Sequence, residues 1–179
     1  EGGGHTGEIG SVVLWPEVVK VAGDIPVIAA GGVGSGEQMA AALALGAQGV
    51  WCGSIWLTVS EAETSELVKD LMFAADSSGT VRSKSFTGKH VRMLKNAWSE
   101  GWDAEGNPQS LGAPMQMMVS GSALQRIHRY PEQAKALAFA PVGQIVGSMN
   151  HTISAKNQLM DMVNGYLNAT EHLAALLED

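Results

Sequence analysis

Residues 25–54 read IPVIAAGGVGSGEQMAAALALGAQGVWCGS, and this stretch decides the fold. IPVIAA (25–30) is a short apolar run without polar alternation, the pattern of a strand buried on both faces of a parallel sheet. GGVGSG (31–36) follows at once, and EQMAAALALG continues as an alanine-rich helix closed by Gly46. Ser35 and Gln38 have capping-box spacing, which sets the helix start. AQGVWC (47–52) is a second buried strand, and Gly53-Ser54 is its exit. Strand, glycine loop, helix, strand and glycine loop make a βαβ unit, with a right-handed crossover and parallel strands.

The flanking segments extend the pattern. SVVLWPEVVKVA (11–22) sets Val12, Trp15, Val18, Val19 and Ala22 at helical spacing, with Pro16 suited to a first turn. Ser60 and Glu63 repeat the capping-box spacing and predict a helix over 61–76. TVRSKSF (80–86) reads as an edge strand or arm, 91–102 as a short helix, and 103–114 as a hinge or lid loop. From 115 the chain reads as helical, with breaks at Tyr130-Pro131 and Pro141-Val142-Gly143. A last helix over 153–177 carries Ile153, Met160, Val163 and Leu167 on one stripe.

Composition excludes several classes. Apolar residues are 45% and charged residues 16% of the 179, which is globular rather than disordered. The net charge is −7 and no Lys/Arg cluster occurs, so neither nucleic acid nor an anionic membrane surface is an expected partner. No apolar run reaches transmembrane length. The single cysteine, Cys52, rules out an internal disulfide framework and suits a cytoplasmic location. The chain opens mid-motif on EGGGHTGEIG (1–10) without an initiator methionine, so it is expected to be the C-terminal part of a longer protein.

Two successive parallel strands that end in glycine turns, at Gly31-Gly32 and Gly53-Ser54, can face one phosphate. In (β/α)8 barrels a phosphate site is frequently built this way. Neither loop holds a lysine or arginine, so backbone N–H groups and Ser54 would do the binding, which suits a tightly held cofactor with a buried phosphate. The dinucleotide Gly-x-Gly-x-x-Gly spacing is absent. His128, His151 and His172 have no partner at metal-ligand spacing, so no metal site is expected. A strand-end cysteine is ordinarily buried and inert. Met115, Met117 and Met118 read as core packing or an apolar lid.

EGGGHTGEIG, PEVV, PVIAAGGVGSG, AAALALGAQGVWCGS and TGKHVR together resemble the nitronate monooxygenase (2-nitropropane dioxygenase) family. Agreement is close over about residues 1–60 and weaker to about 95. The resemblance implies an FMN-dependent (β/α)8 TIM barrel, a fold shared with the flavin-dependent enoyl-ACP reductases. It implies an α/β chain with residues 1–95 as the C-terminal part of the barrel and 96–179 as a mostly helical extension packed on it. The preceding strands are expected elsewhere in the native protein.

The resemblance carries the catalytic histidine onto His5 and cofactor contacts onto Gly3, Gly4, Gly31 and Gly32. Trp51, Cys52, Gly53 and Ser54 match the second phosphate segment. There Trp51 and Cys52 stand where the family usually has Gln and Met, and Ser54 where it has Thr. Ser54 keeps the hydroxyl, whereas Trp51 puts substrate size in doubt. His5 would take the α-proton of a nitroalkane or orient a nitronate, with O2 as oxidant. Glu8 either orients His5 or is an exposed loop carboxylate, and His90 lies on the surface or touches substrate. The expected substrate is a small nitronate or, in the second reading, an acyl thioester reduced with NAD(P)H. A homodimer is compatible with either reading.

Overall fold

The computed structural model describes residues 1–178. In chain order it runs β1 (Gly4–His5), α1 (Ser11–Ala22), β2 (Ile28–Ala30), α2 (Gly36–Ala44) and β3 (Gly49–Trp51). Then come α3 (Glu66–Phe73), β4 (Thr80–Ser83), β5 (Val91–Leu94), α4 (Ala97–Asp103), α5 (Met115–Arg129) and α6 (Ala155–Ala175). The fold is mixed α/β. β2 and β3 pair in parallel, Ile28 with Gly49 and Ala30 with Trp51, and α2 forms the crossover between them. A second sheet has the order β1-β5-β4 with both pairings antiparallel, which leaves β4 at an edge.

The start of α2 follows its sequence signal. Ser35 Oγ accepts the Gln38 N–H, and Gln38 Oε1 accepts the Ser35 N–H in return. Gly36 opens the helix where α6 crosses it. A Cβ there would stand 2.2 Å from the Met162 carbonyl oxygen and the Tyr166 nitrogen. Only glycine lets the two backbones approach so closely.

Three apolar clusters hold the chain. Trp15, Ala29, Val33, Ala42, Ile55 and Met162 join α1, the βαβ unit and α6. Met72, Leu94, Val142, Val146 and Met149 join α3 and β5 to the segment before α6. Phe86, Val91 and Met93 fill the third, where the Phe86 ring stacks on Trp98 at 5.3 Å and meets Phe139 at 4.4 Å.

Several expectations are corrected. Residues 91–94 form a strand: Val91 and Met93 point the same way into the third cluster, a period of two that a helix cannot satisfy. Helix α4 starts only at Ala97, behind an Asn96 cap whose Oδ1 accepts the Ser99 N–H. The Ser60–Glu63 box does not form. The Ser60 N–H donates to Ile153 O, and Glu61 accepts both the Ser60 hydroxyl and the Ala155 N–H, so tertiary bonds displace the local cap and α3 waits until Glu66. Pro16 lies at the sixth position of α1, past its first turn.

Burial differs too. Ala29 is buried, but Ile25, Ile28 and Trp51 are exposed, so the parallel pair is covered on one face by the described residues. In α6 the buried side chain is Met162, while Met160, Val163 and Leu167 face outward. The helix crosses α2 through Gly165, and the close approach, not the apolar stripe, orients it. Met115, Met117 and Met118 are all exposed, and Gln116 and Ser120 are the buried residues of that end of α5. Gln116 Nε2 donates to Ser85 O at 2.6 Å and the Ser120 hydroxyl to Phe86 O at 2.6 Å. Those carbonyls need donors that a methionine lacks. No helix among the described residues is long and apolar enough to cross a membrane.

Candidate active site

The ends of β2 and β3 and the chain before β1 converge on a cavity of about 390 Å³. Gly2, Gly3 and Gly4 form one wall, Ala30 to Val33 a second, and Trp51, Gly53, Ser54 and Leu57 a third. Pro141 and Ile145 close the fourth side. Backbone dominates this surface. Gly31 and Gly32 have φ of 97° and 78°, in the left-handed region that L side chains rarely adopt. A Cβ on Gly3 would stand 2.6 Å from the Gly143 nitrogen and the Val142 carbonyl carbon.

Ser54 opens a 3₁₀ turn and occupies a defined state. Its Oγ accepts the Gly143 N–H at 2.9 Å, which leaves the hydroxyl proton free to donate. The Gln144 N–H donates to Glu1 O at 2.9 Å, so residues 141–145 are tied to both the Gly-rich wall and the second loop. At α2 the Gly34 and Ser35 N–H groups are already bonded to Gln38 Oε1, at 2.7 and 3.1 Å. The cavity is therefore lined by the glycine loop before the helix, and residues 34–36 stay outside it.

Of the residues singled out in the sequence, Gly3, Gly4, Gly31, Gly32, Trp51, Gly53 and Ser54 line this one cavity. Cys52 does not. Its side chain faces a separate cavity of about 400 Å³ bounded by Met39, Trp56 and Met162, and burial pushes its thiol pKa up. His5 follows Gly4 on β1 and is exposed; it is not among the residues lining this cavity, and its Nε2 lies 3.0 Å from Thr87 Oγ1. Glu8 is exposed and lies 3.6 Å from Arg82 through Oε1, so it serves Arg82. His90 Nδ1 accepts from Arg82 Nη2 at 2.8 Å. His128, His151 and His172 are exposed. Among the described residues no three His, Cys, Asp or Glu side chains gather as a metal site.

Charge near the cavity comes from Glu1 and Arg92, which stand in two of the quoted motifs but were given no role from the sequence. Burial works to raise the Glu1 carboxyl pKa. The Ser11 N–H and hydroxyl, at 3.0 and 3.1 Å, and nearby positive charge including Arg92 outweigh it and hold the group below the usual value. Arg92 is lowered by burial and then by Arg82, with Glu1 opposing. Pro141 and Gly143 read in the sequence only as part of a helix break, and Ile145 carries no signal there. A turn signal says where the chain bends but not what it then touches.

Comparison with known proteins gives the family of the chain. The family model described as nitronate monooxygenase matches residues 1–177. A Mycobacterium tuberculosis protein named as a monooxygenase is 48% identical over 182 residues, covering 99% of this chain and 48% of that protein. FabK from Thermotoga maritima has a TM-score of 0.80 at 27% identity, over 98% of this chain and 54% of that one. A nitroalkane oxidase from Streptomyces ansochromogenes has a TM-score of 0.79 at 25% identity, over 96% and 51%. The chain spans about half the length of the relatives it matches.

Proposed function

The chain belongs to the nitronate monooxygenase family, and from that premise we propose that it is the C-terminal part of an FMN-dependent oxidoreductase acting on alkyl nitronates or nitroalkanes with O2. On this reading β2, α2 and β3 are part of a (β/α)8 barrel, residues 1–95 are its C-terminal portion, and 96–179 are a helical extension packed on it. The protein works in the cytoplasm on a small-molecule substrate, and a homodimer is compatible with the reading.

The observation that carries the cofactor assignment is the donor set of the cavity. A phosphate needs hydrogen-bond donors and close backbone approach. Gly31 and Gly32 adopt left-handed backbone, Gly3 packs its backbone directly on Val142 and Gly143, and Ser54 keeps a proton to donate. These groups fit FMN: Gly31, Gly32, Gly53 and Ser54 would hold its phosphate, and Gly3 and Gly4 would face its ring. Trp51 would contribute at the same strand end, and Cys52, outside the cavity lining, only by carrying the chain from Trp51 to Gly53. When bound, FMN supplies electron transfer between the carbon acid and O2.

His5 supplies the proton chemistry. A neutral imidazole is suited to take an α-proton near neutral pH, and an already ionised nitronate needs only orientation. Pro141 and Ile145 form one side of the cavity.

A second reading is a flavin-dependent enoyl-thioester reductase using NAD(P)H. The specific observation for it is the likeness to FabK, which matches that to the nitroalkane oxidase. The visible spectrum of the full-length flavoprotein decides between them. Rapid O2 consumption with propionate 3-nitronate and no NAD(P)H oxidation is expected. Flavin bleaching by NAD(P)H followed by enoyl-thioester turnover overturns the first reading. In the same protein His5→Ala is expected to lower neutral nitroalkane turnover about 10²-fold with FMN retained. Unchanged turnover removes His5 from the mechanism.

A further inference from the structure

We propose that Thr87 is a positioning residue that holds His5 in the Nε2–H tautomer, leaving Nδ1 as the nitrogen that takes the substrate proton. The proton-accepting part rests on the reading of His5 given above. The tautomer itself follows from hydrogen-bond accounting at one oxygen.

Thr87 Oγ1 has three neighbours: Lys89 O at 3.1 Å, the Lys89 nitrogen at 3.3 Å and His5 Nε2 at 3.0 Å. A hydroxyl has one proton and two lone pairs. The Thr87 hydroxyl donates to the carbonyl oxygen of Lys89, which can only accept. The Lys89 N–H can only donate, so it occupies one lone pair. One lone pair remains for His5, and Nε2 must therefore carry its proton. In the neutral ring the bare nitrogen is then Nδ1, which has no hydrogen-bond partner among the described residues.

The surrounding turn holds this oxygen in place. Gly88 has a φ of 79°, and a Cβ on it would meet the Ala113 nitrogen at 2.5 Å and the Leu111 carbonyl oxygen at 2.6 Å. The Gly88 N–H donates to Lys84 O at 2.8 Å. The Thr6 N–H donates to His90 O at 3.2 Å, and His5 is in register with Val91, so both partners of the bond sit on one hydrogen-bonded frame. The neighbouring His90 is engaged by Arg82 and does not compete.

In the step itself the substrate C–H bond breaks, its electron pair moves into the carbon–nitrogen bond with the negative charge on the nitro oxygens, giving the nitronate, and the proton joins Nδ1. The resulting imidazolium still donates Nε2–H to Thr87, so the hydrogen bond survives the transfer and the ring need not turn.

The test is a long-range ¹H–¹⁵N spectrum of the full-length flavoprotein carrying ¹⁵N-histidine, at about pH 9 where an ordinary histidine ring is neutral. His5→Gln assigns the His5 signal. The Nε2–H tautomer is expected in the wild type and in Thr87→Ser, and a mixture of tautomers in Thr87→Val. An Nδ1–H tautomer or a mixture in the wild type overturns the proposal, and so does a Thr87→Val spectrum identical to the wild type. The wild-type spectrum decides even if Thr87→Val does not fold. In turnover, Thr87→Val is expected to slow a neutral nitroalkane about tenfold, to spare the preformed nitronate, and to be rescued by Thr87→Ser. A shifted tautomer with unchanged nitroalkane turnover overturns His5 as the base while the hydrogen-bond assignment stands.

Discussion

The two sides of the candidate site are built from different parts of the polypeptide. On one side Gly3, Gly31, Gly32 and Gly53 present backbone, and Ser54 is the single hydroxyl. On the other, β1 and the Thr87–His90 turn present side chains: His5 on Thr87, and His90 on Arg82. Backbone donors have positions set by chain path, so that side is sensitive to any added atom. Side-chain donors have positions set by their neighbours, so the His5 side is sensitive to the loss of a hydrogen-bond partner. The contrast also separates the roles proposed for them, holding an anion and moving a proton.

Gly3→Ala should break the backbone side most severely. Its Cβ would collide with Val142 and Gly143, so either β1 or the 141–145 segment must shift. Overpacking of this kind costs about 1–3 kcal/mol. A lower Tm and weaker FMN binding in a flavin-fluorescence titration are expected, and wild-type values for both would show that the two segments are not held together.

Ser54→Ala sharpens the comparison with a smaller change. It removes the one hydroxyl of the backbone side and leaves the Gly143 N–H without its acceptor. FMN affinity should fall about tenfold, or about 1.4 kcal/mol. Ser54→Thr should restore it. Equal affinity in Ser54→Ala would assign the phosphate to backbone alone.

The smallest effect concerns a carboxylate outside both sides. The Ala155 N–H first, then the Ser60 hydroxyl, hold the Glu61 carboxyl below the ordinary 4.5. A group lowered on folding stabilises above its unfolded pKa, and that contribution disappears as pH falls through the lower folded value. Glu61→Gln should therefore lower Tm slightly at neutral pH, with the difference from wild type vanishing in acid. A difference that persists in acid would show that charge is not what Glu61 contributes to the start of α6.

How much of this was legible in the sequence depends on the range of the interaction. The βαβ order is legible because Ser35 and Gln38 meet within one turn and glycine marks each strand exit. The 91–94 segment is not, because VRML suits either period until β4 pairs with it. The Ser60–Glu63 spacing misleads for the same reason: a local cap competes with Ile153 and Ala155, almost a hundred residues away. Met115, Met117 and Met118 mislead through hydrophobicity where they are read as core packing, since all three are exposed. What α5 had to supply was donors for Ser85 O and Phe86 O, and Gln116 and Ser120 carry them.

By itself the sequence determined the parallel βαβ unit, the two glycine exits, and the family, because each is written in residues that act on their immediate neighbours. Gly31 and Gly32 need no tertiary partner to reach left-handed φ, and Ser35 caps the helix it precedes. Only the tertiary structure decided that Pro141 and Ile145 line the cavity, that Cys52 lines a different one, and that the His5 ring meets Thr87. Those outcomes depend on which distant carbonyl or hydroxyl needs a partner once the chain has folded, and no spacing along the chain encodes that.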